Sequence, residues 1–122
     1  MDRAEFEALV QDALDDLPEE FARRLENLSI VIEDEPDAAL LRSLGLHPGR
    51  DTLFGLYQGV PLSQRGASYS GVLPDKISIY YRPLVRNCPT PQHIRHQVRK
   101  TVLHEIGHYF GLDDAEIRAL GY

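Results

Sequence analysis

The stretch from Thr90 to Asp114, TPQHIRHQVRKTVLHEIGHYFGLDD, decides how the rest of this chain is read. Thr90 followed by Pro91 is a helix start: a hydroxyl that can cap free amides, then a residue with no amide to satisfy. Ile94, Val98, Val102 and Ile106 recur every four residues, and only Gly107 interrupts the helical pattern before Gly111. The spacing predicts a helix over 91–110, ended by Gly111, which accepts a positive φ and lets the chain fold back. Inside that helix stand His104, Glu105 and His108 in the order HExxH. A helix turns about 100° per residue, so the two imidazoles leave one face about 6 Å apart and can aim ring nitrogens at one tetrahedral ion. On the wheel they fall about 160° from Val102 and Ile106, which disfavours two packed core histidines. Glu105 lies beside the first histidine, within reach of a water on a bound metal without being a ligand itself.

A catalytic zinc takes three protein ligands and keeps a fourth position for water. Only residues 109–122 follow His108, and their carboxylates are Asp113, Asp114 and Glu116. Asp113 and Glu116 are spaced as a capping box for a short last helix over about 114–120. That leaves Asp114 free as the expected third ligand, with Asp113, Glu116, an upstream residue or solvent as the alternatives. Two histidines and an aspartate suit one Zn2+ ion and are compatible with another divalent metal.

The remainder bounds the answer. At 122 residues the chain predicts one domain, 1–122, burying about two-thirds of its unfolded surface. A hydrophobic share of 43% with 26% charged residues is that of an ordinary globule, and a net charge of −6 disfavours a nucleic-acid partner. The start, MDRAEFEALVQDALDDL, is amphipathic and acidic, without the apolar stretch of a signal peptide. No apolar run approaches the roughly 20 residues that span a bilayer, so no membrane partner is expected. Cys88 stands alone, which excludes an internal disulfide, fits a cytoplasmic location and reads as a small, buried, inert thiol.

Periodicity predicts a helix over 3–15, and a second from Asp16-Leu17-Pro18 through Phe21 and Leu25, with Asp16 as its cap. LSIVIE (28–33) reads as a buried strand, 37–44 as a short helix closed by Gly45, and 52–57 as a second strand. Residues 58–75 read as an irregular loop, and KISIYYR (76–82) as a third strand halted by Pro83. The fold class expected is α+β: a small mixed sheet packed against helices, with the long active-site helix near the C-terminus.

Four segments carry a resemblance: LENLSIVIEDEP (25–36), LFGLYQGVPLSQRG (53–66), LPDKISIYYRPLVR (73–86) and VRKTVLHEIGHYFGLDDAEIRALGY (98–122). Together they resemble the small single-domain zincin-like metallopeptidases of bacteria, the minimal zincins. The resemblance implies a reduced zincin core whose sheet borders the active-site helix. It also implies His104, His108 and Asp114 as zinc ligands and Glu105 as general base. The only Met is Met1, so the Met-turn of metzincins is absent, and Asp114 stands where those enzymes have a third histidine.

The chemistry expected is peptide-bond hydrolysis by a metal-activated water, on a peptide or unfolded-protein substrate. Tyr80, Tyr81, Tyr109 and Arg82 are candidates for stabilising the oxyanion. KISIYYR, if it is an exposed edge, would take an extended substrate by main-chain pairing, and residues 59–71 would overhang the cleft. His93 and His96 stand with Arg95, Arg99 and Lys100 on what reads as a solvated basic face; His96 is about 12 Å along the helix from His104, too far to share its ion. His47, beside Pro48 and Gly49, reads as a turn residue, and Asp15, Asp16, Glu19 and Glu20 as helix-end carboxylates. Two other readings compete: a metal-binding regulatory or peptide-binding protein without turnover, and a metal-dependent nuclease, against which the net acidity counts.

Overall fold

The Asp2 carboxylate accepts the Glu5 amide and so caps the first helix, α1 (Arg3–Asp15), which turns Phe6, Val10 and Ala13 inward. The computed structural model describes residues 1–22, 28–59 and 75–122. A single turn, α2 (Glu19–Ala22), follows; the expected continuation of that helix to Leu25 lies outside the described residues. Asp16 closes α1, and its carboxylate meets Arg99 at 3.1 Å.

Next come β1 (Leu28–Glu33), the short helix α3 (Ala38–Ser43) capped by Asp37, and β2 (Gly55–Gln58). β3 (Asp75–Tyr80) runs directly into α4 (Tyr81–Asn87). α4 corrects the expectation that the strand runs to Arg82 and halts at Pro83. Pro83 occupies the first helical turn, where a missing amide leaves no intrahelical bond unmade, so it starts a helix rather than ending a strand. α5 (Pro91–Tyr109) and α6 (Asp114–Ala119) complete the chain.

The strand order is β1-β3-β2, with β1 parallel and β2 antiparallel to β3. The sheet is therefore mixed, as expected, but β3 is its central strand. The edge role expected for KISIYYR is incorrect, because both of its ladders are already occupied. Ile77 and Ile79 share a core with Phe6 and Val10 of α1 and with Ile94, Val98, Val102 and Ile106 of α5. That apolar stripe clamps α5 between α1 and the sheet. Cys88 is buried at the edge of this core, and burial pushes its thiol pKa up, consistent with an inert side chain. No helix among the described residues is long and apolar enough to cross a membrane.

Candidate metal centre

His104 and His108 stand one turn apart on α5, their rings edge to face with centroids 4.7 Å apart. Their Nε2 atoms lie 3.0 and 2.8 Å from one and the same oxygen, Oδ1 of Asp114. The chain between them explains how. Thr90 caps α5, and Phe110 ends it. Gly111 follows at φ 86°, its amide bonded to the His108 carbonyl at 2.9 Å, while the Leu112 amide returns to the Gly107 carbonyl at 3.1 Å. That left-handed turn reverses the chain. The Asp113 carboxylate then accepts the Glu116 amide at 2.8 Å, and Glu116 accepts the Asp113 amide at 3.1 Å, a complete capping box. Asp113 and Glu116 are thereby engaged with main chain, and Asp114 alone of the three downstream carboxylates meets the imidazoles.

One further feature seats α6. Ile117, its one buried residue, packs over Gly107, where an added Cβ would stand 2.7 Å from Ile117 Cγ1. The missing side chain at 107 is thus a notch that receives the last helix. Sequence reasoning noted Gly107 only as an interruption, since the partner is ten residues away and lies on a different helix.

Two separations of the donor set are compatible with a tetrahedral ion. Ligands about 2.0–2.1 Å from zinc stand roughly 3.3 Å from one another, and the two Nε2-to-Oδ1 separations are slightly shorter than this. The Asp114 carboxyl is held below the usual carboxylate range chiefly by its hydrogen bond with His108; desolvation opposes this, and the His104 hydrogen bond adds to the lowering.

Glu105 is buried, 6% exposed, and its Oε1 accepts the main-chain amide of Tyr57 in β2 at 2.7 Å. The same oxygen makes a long contact, 3.5 Å, with Nδ1 of His108, the ring nitrogen that does not face Asp114. Against the Asp114 carboxylate, which can only accept, Nε2 is the donor; with an ion bound, a proton on Nδ1 would leave the Nε2 lone pair for the metal. Carboxylate and imidazole donor atoms of His104, Glu105 and His108 all lie within 4.8 Å of one another. Tyr57 was not among the expected site residues. Its contribution is a peptide N–H, which every residue except proline carries, so no residue type could announce it.

β2 supplies the edge that β3 does not. The Tyr80 amide bonds the Phe54 carbonyl at 2.9 Å, so antiparallel alternation turns the peptide groups of Phe54, Leu56 and Gln58 toward β3 and those of Gly55 and Tyr57 outward. Outward is toward α5, as the Tyr57–Glu105 bond records. The four oxyanion candidates are packed or exposed away from the imidazoles. Tyr80 is fully buried and alternates with Ile77 and Ile79 onto the opposite sheet face. Tyr81 bonds the Met1 carbonyl and packs on Phe6. Tyr109 is buried against Tyr57, with centroids 5.7 Å apart, and Arg82 is exposed on α4. The expected overhang of residues 59–71 lies, from residue 60 on, outside the described residues.

A family model described as zincin-like metallopeptidase matches residues 25–122, all of the site and the whole sheet. The chain belongs to the zincin-like metallopeptidases. Membership implies a zinc ion and metal-dependent hydrolysis, and the mixed sheet beside a long C-terminal helix agrees with a zincin-like core. Among solved structures, a conserved hypothetical protein from Thermo thermophilus has a similar fold, with a TM-score of 0.57 and 24% identity over 87% of this chain and 91% of that one. No curated protein matches the chain.

Proposed function

We propose that this zincin-like chain hydrolyses peptide bonds with one zinc ion held by His104, His108 and Asp114, and with Glu105 as general base. The observation that carries the reading is the convergence of two Nε2 atoms on one Asp114 oxygen, with the Glu105 carboxylate buried alongside. Zinc, when bound, would supply Lewis-acid polarisation of the substrate carbonyl and a water whose pKa is lowered to about 7. Glu105 takes the proton from the attacking water and delivers it to the leaving amine, so one carboxylate serves both halves of the reaction. The Tyr57 amide on Oε1 fixes the carboxylate's rotamer and leaves the other oxygen to hold and move the proton.

The substrate lies extended along β2 rather than β3. Gly55 presents outward main-chain groups there, and no other strand among the described residues pairs with that edge. Glu105→Gln tests the mechanism. The variant retains zinc, since an amide oxygen still accepts the Tyr57 N–H, and loses at least about a hundredfold in kcat on a peptide library. Turnover equal to wild type at full zinc occupancy would remove Glu105 from the reaction.

A further inference from the structure

The basic face of α5 divides into paired and unpaired cations. Arg95 lies 3.9 Å from Asp12 and Arg99 3.1 Å from Asp16, exposed ion pairs between α5 and α1 on a face that is solvated as expected. Lys100 is exposed and meets no carboxylate among the described residues. It stands one turn before His104, on the same side of the helix.

That position puts Lys100 on a recess of about 220 Å³ lined by Phe54, Gly55, Gln97 and Thr101 and closed by His104 and Glu105. The recess is contiguous with the metal centre because the latter two residues belong to both. Its walls are ordered. Gln97 donates to the Thr101 hydroxyl at 3.2 Å, and Thr101 is itself buried. Gly55 permits the close approach of β2 and α5, since a Cβ there would stand 2.8 Å from Thr101 Cγ2. Phe54 contributes a half-buried ring. A side chain entering here from a peptide along β2 would lay its stem on the ring and its tip beside an ammonium with three donors and no acceptor.

We infer that this recess is a substrate subsite flanking the scissile bond and that Lys100 selects a carboxylate in it. The substrate class is a peptide with Asp or Glu, or with its own terminal carboxylate, next to the cleaved bond. On a chain of net charge −6, a cation at the cleft with no carboxylate partner among the described residues is the feature that would distinguish such substrates from neutral ones. The inference rests on the hydrolase reading for its location but has a separate test.

Peptides identical except for Glu, Gln or Lys at one position, each with a free or amidated C-terminus, are bound to zinc-loaded protein and followed by fluorescence anisotropy and by cleavage. Wild type is expected to bind the carboxylate-bearing peptide about five- to tenfold more tightly than its neutral twin. Lys100→Met reduces that ratio to within about twofold by weakening the acidic peptide, and Lys100→Glu reverses it in favour of Lys. Loss of the preference on amidation alone assigns the terminal carboxylate; loss on Glu to Gln alone assigns the side chain. Equal binding of acidic and neutral twins by wild type, absence of any peptide binding, or a preference that survives Lys100→Met would overturn the inference. A Lys100-dependent preference without cleavage keeps the subsite and sinks the hydrolase reading. Cleavage indifferent to carboxylates does the reverse.

Discussion

Replacing Gly107 by alanine separates the fold of this protein from its metal centre. The new Cβ would lie 2.7 Å from Cγ1 and 2.8 Å from Cδ1 of Ile117, about 1 Å inside ordinary carbon contact. α5 is clamped by the core stripe, so the smaller body moves, and that body is α6. An outward shift of about 1 Å takes Asp114 Oδ1 from 2.8 and 3.0 Å to beyond hydrogen-bond range of the two imidazoles. The overpacking costs about 1–3 kcal/mol, and the helix propensity of alanine over glycine returns about 1 kcal/mol. Net stability of the metal-free protein therefore falls by only about 0–2 kcal/mol, whereas zinc affinity falls at least about tenfold. Competition with a chromophoric chelator measures the affinity, and urea unfolding of metal-free protein measures the stability. Asp114→Ala should lose affinity to a similar degree, and the double variant should lose little more, because both act through the same carboxylate. Zinc affinity within about twofold of wild type for Gly107→Ala, or losses that simply add in the double variant, would refute the notch argument.

Three other outcomes follow from the same geometry. Asp113→Ala removes the capping box and is expected to cost about 1 kcal/mol by urea unfolding and to weaken zinc binding, while Asp113→Asn, which can still cap, retains both. The Asp114 pKa is lowered in the folded protein, so the stability its imidazole contacts lend metal-free protein is present above the unfolded value near 3.8 and is lost as pH falls through the lower folded value. The difference in urea midpoint between wild type and Asp114→Asn should accordingly shrink only below about pH 4. Burial raises the Tyr80 pKa above 10.0, with the Ser78 hydroxyl pulling the other way and Glu33, Asp37 and Glu105 adding to the rise. Tyr80 therefore stays neutral when folded, stability declines as pH climbs above 10, and Tyr80→Phe should flatten that alkaline limb in the same assay.

The parts of the fold legible in sequence are those fixed by neighbours along the chain. Thr90-Pro91 opens α5, Gly111 takes the positive φ that ends it, and Asp113 with Glu116 caps α6, each within a few residues of its partner. Sheet order is different. The alternation of KISIYYR is compatible with a central or an edge strand, and only pairing with β1 and β2, far away in sequence, makes it central. Pro83 misled for a related reason: proline bars a strand from continuing but is equally suited to a first helical turn. The ion pairs of Arg95 and Arg99 were not readable because the carboxylates that meet them stand on and at the end of α1, far earlier in the chain. Within the site, residue types were readable and supporting contacts were not. The Tyr57 amide and the Gly107 notch act through a main-chain group and through an absent side chain.

This division bears on how the centre is built. α6 has six residues, far fewer than an isolated helix needs to persist in water, and among the described residues the capping box, Ile117 and Asp114 help hold it in place. Two of those three anchors involve α5, and Asp114 is also the residue that faces the histidines. On the proposed ligand set, occupancy of the centre and docking of α6 would be one equilibrium seen from two sides: an ion bound by Asp114 would pin the helix, and a seated Ile117 presents the carboxylate. His104 and His108, by contrast, ride on a helix whose opposite face is locked into the core and which needs no metal to stay in register. The centre thus combines a preformed pair of imidazoles with a third donor delivered by a marginal element. On the proposed ligand set, His104, His108 and Asp114 would hold the ion, and Gly107, Gly111 and Asp113 would act on it only through how they seat the third donor.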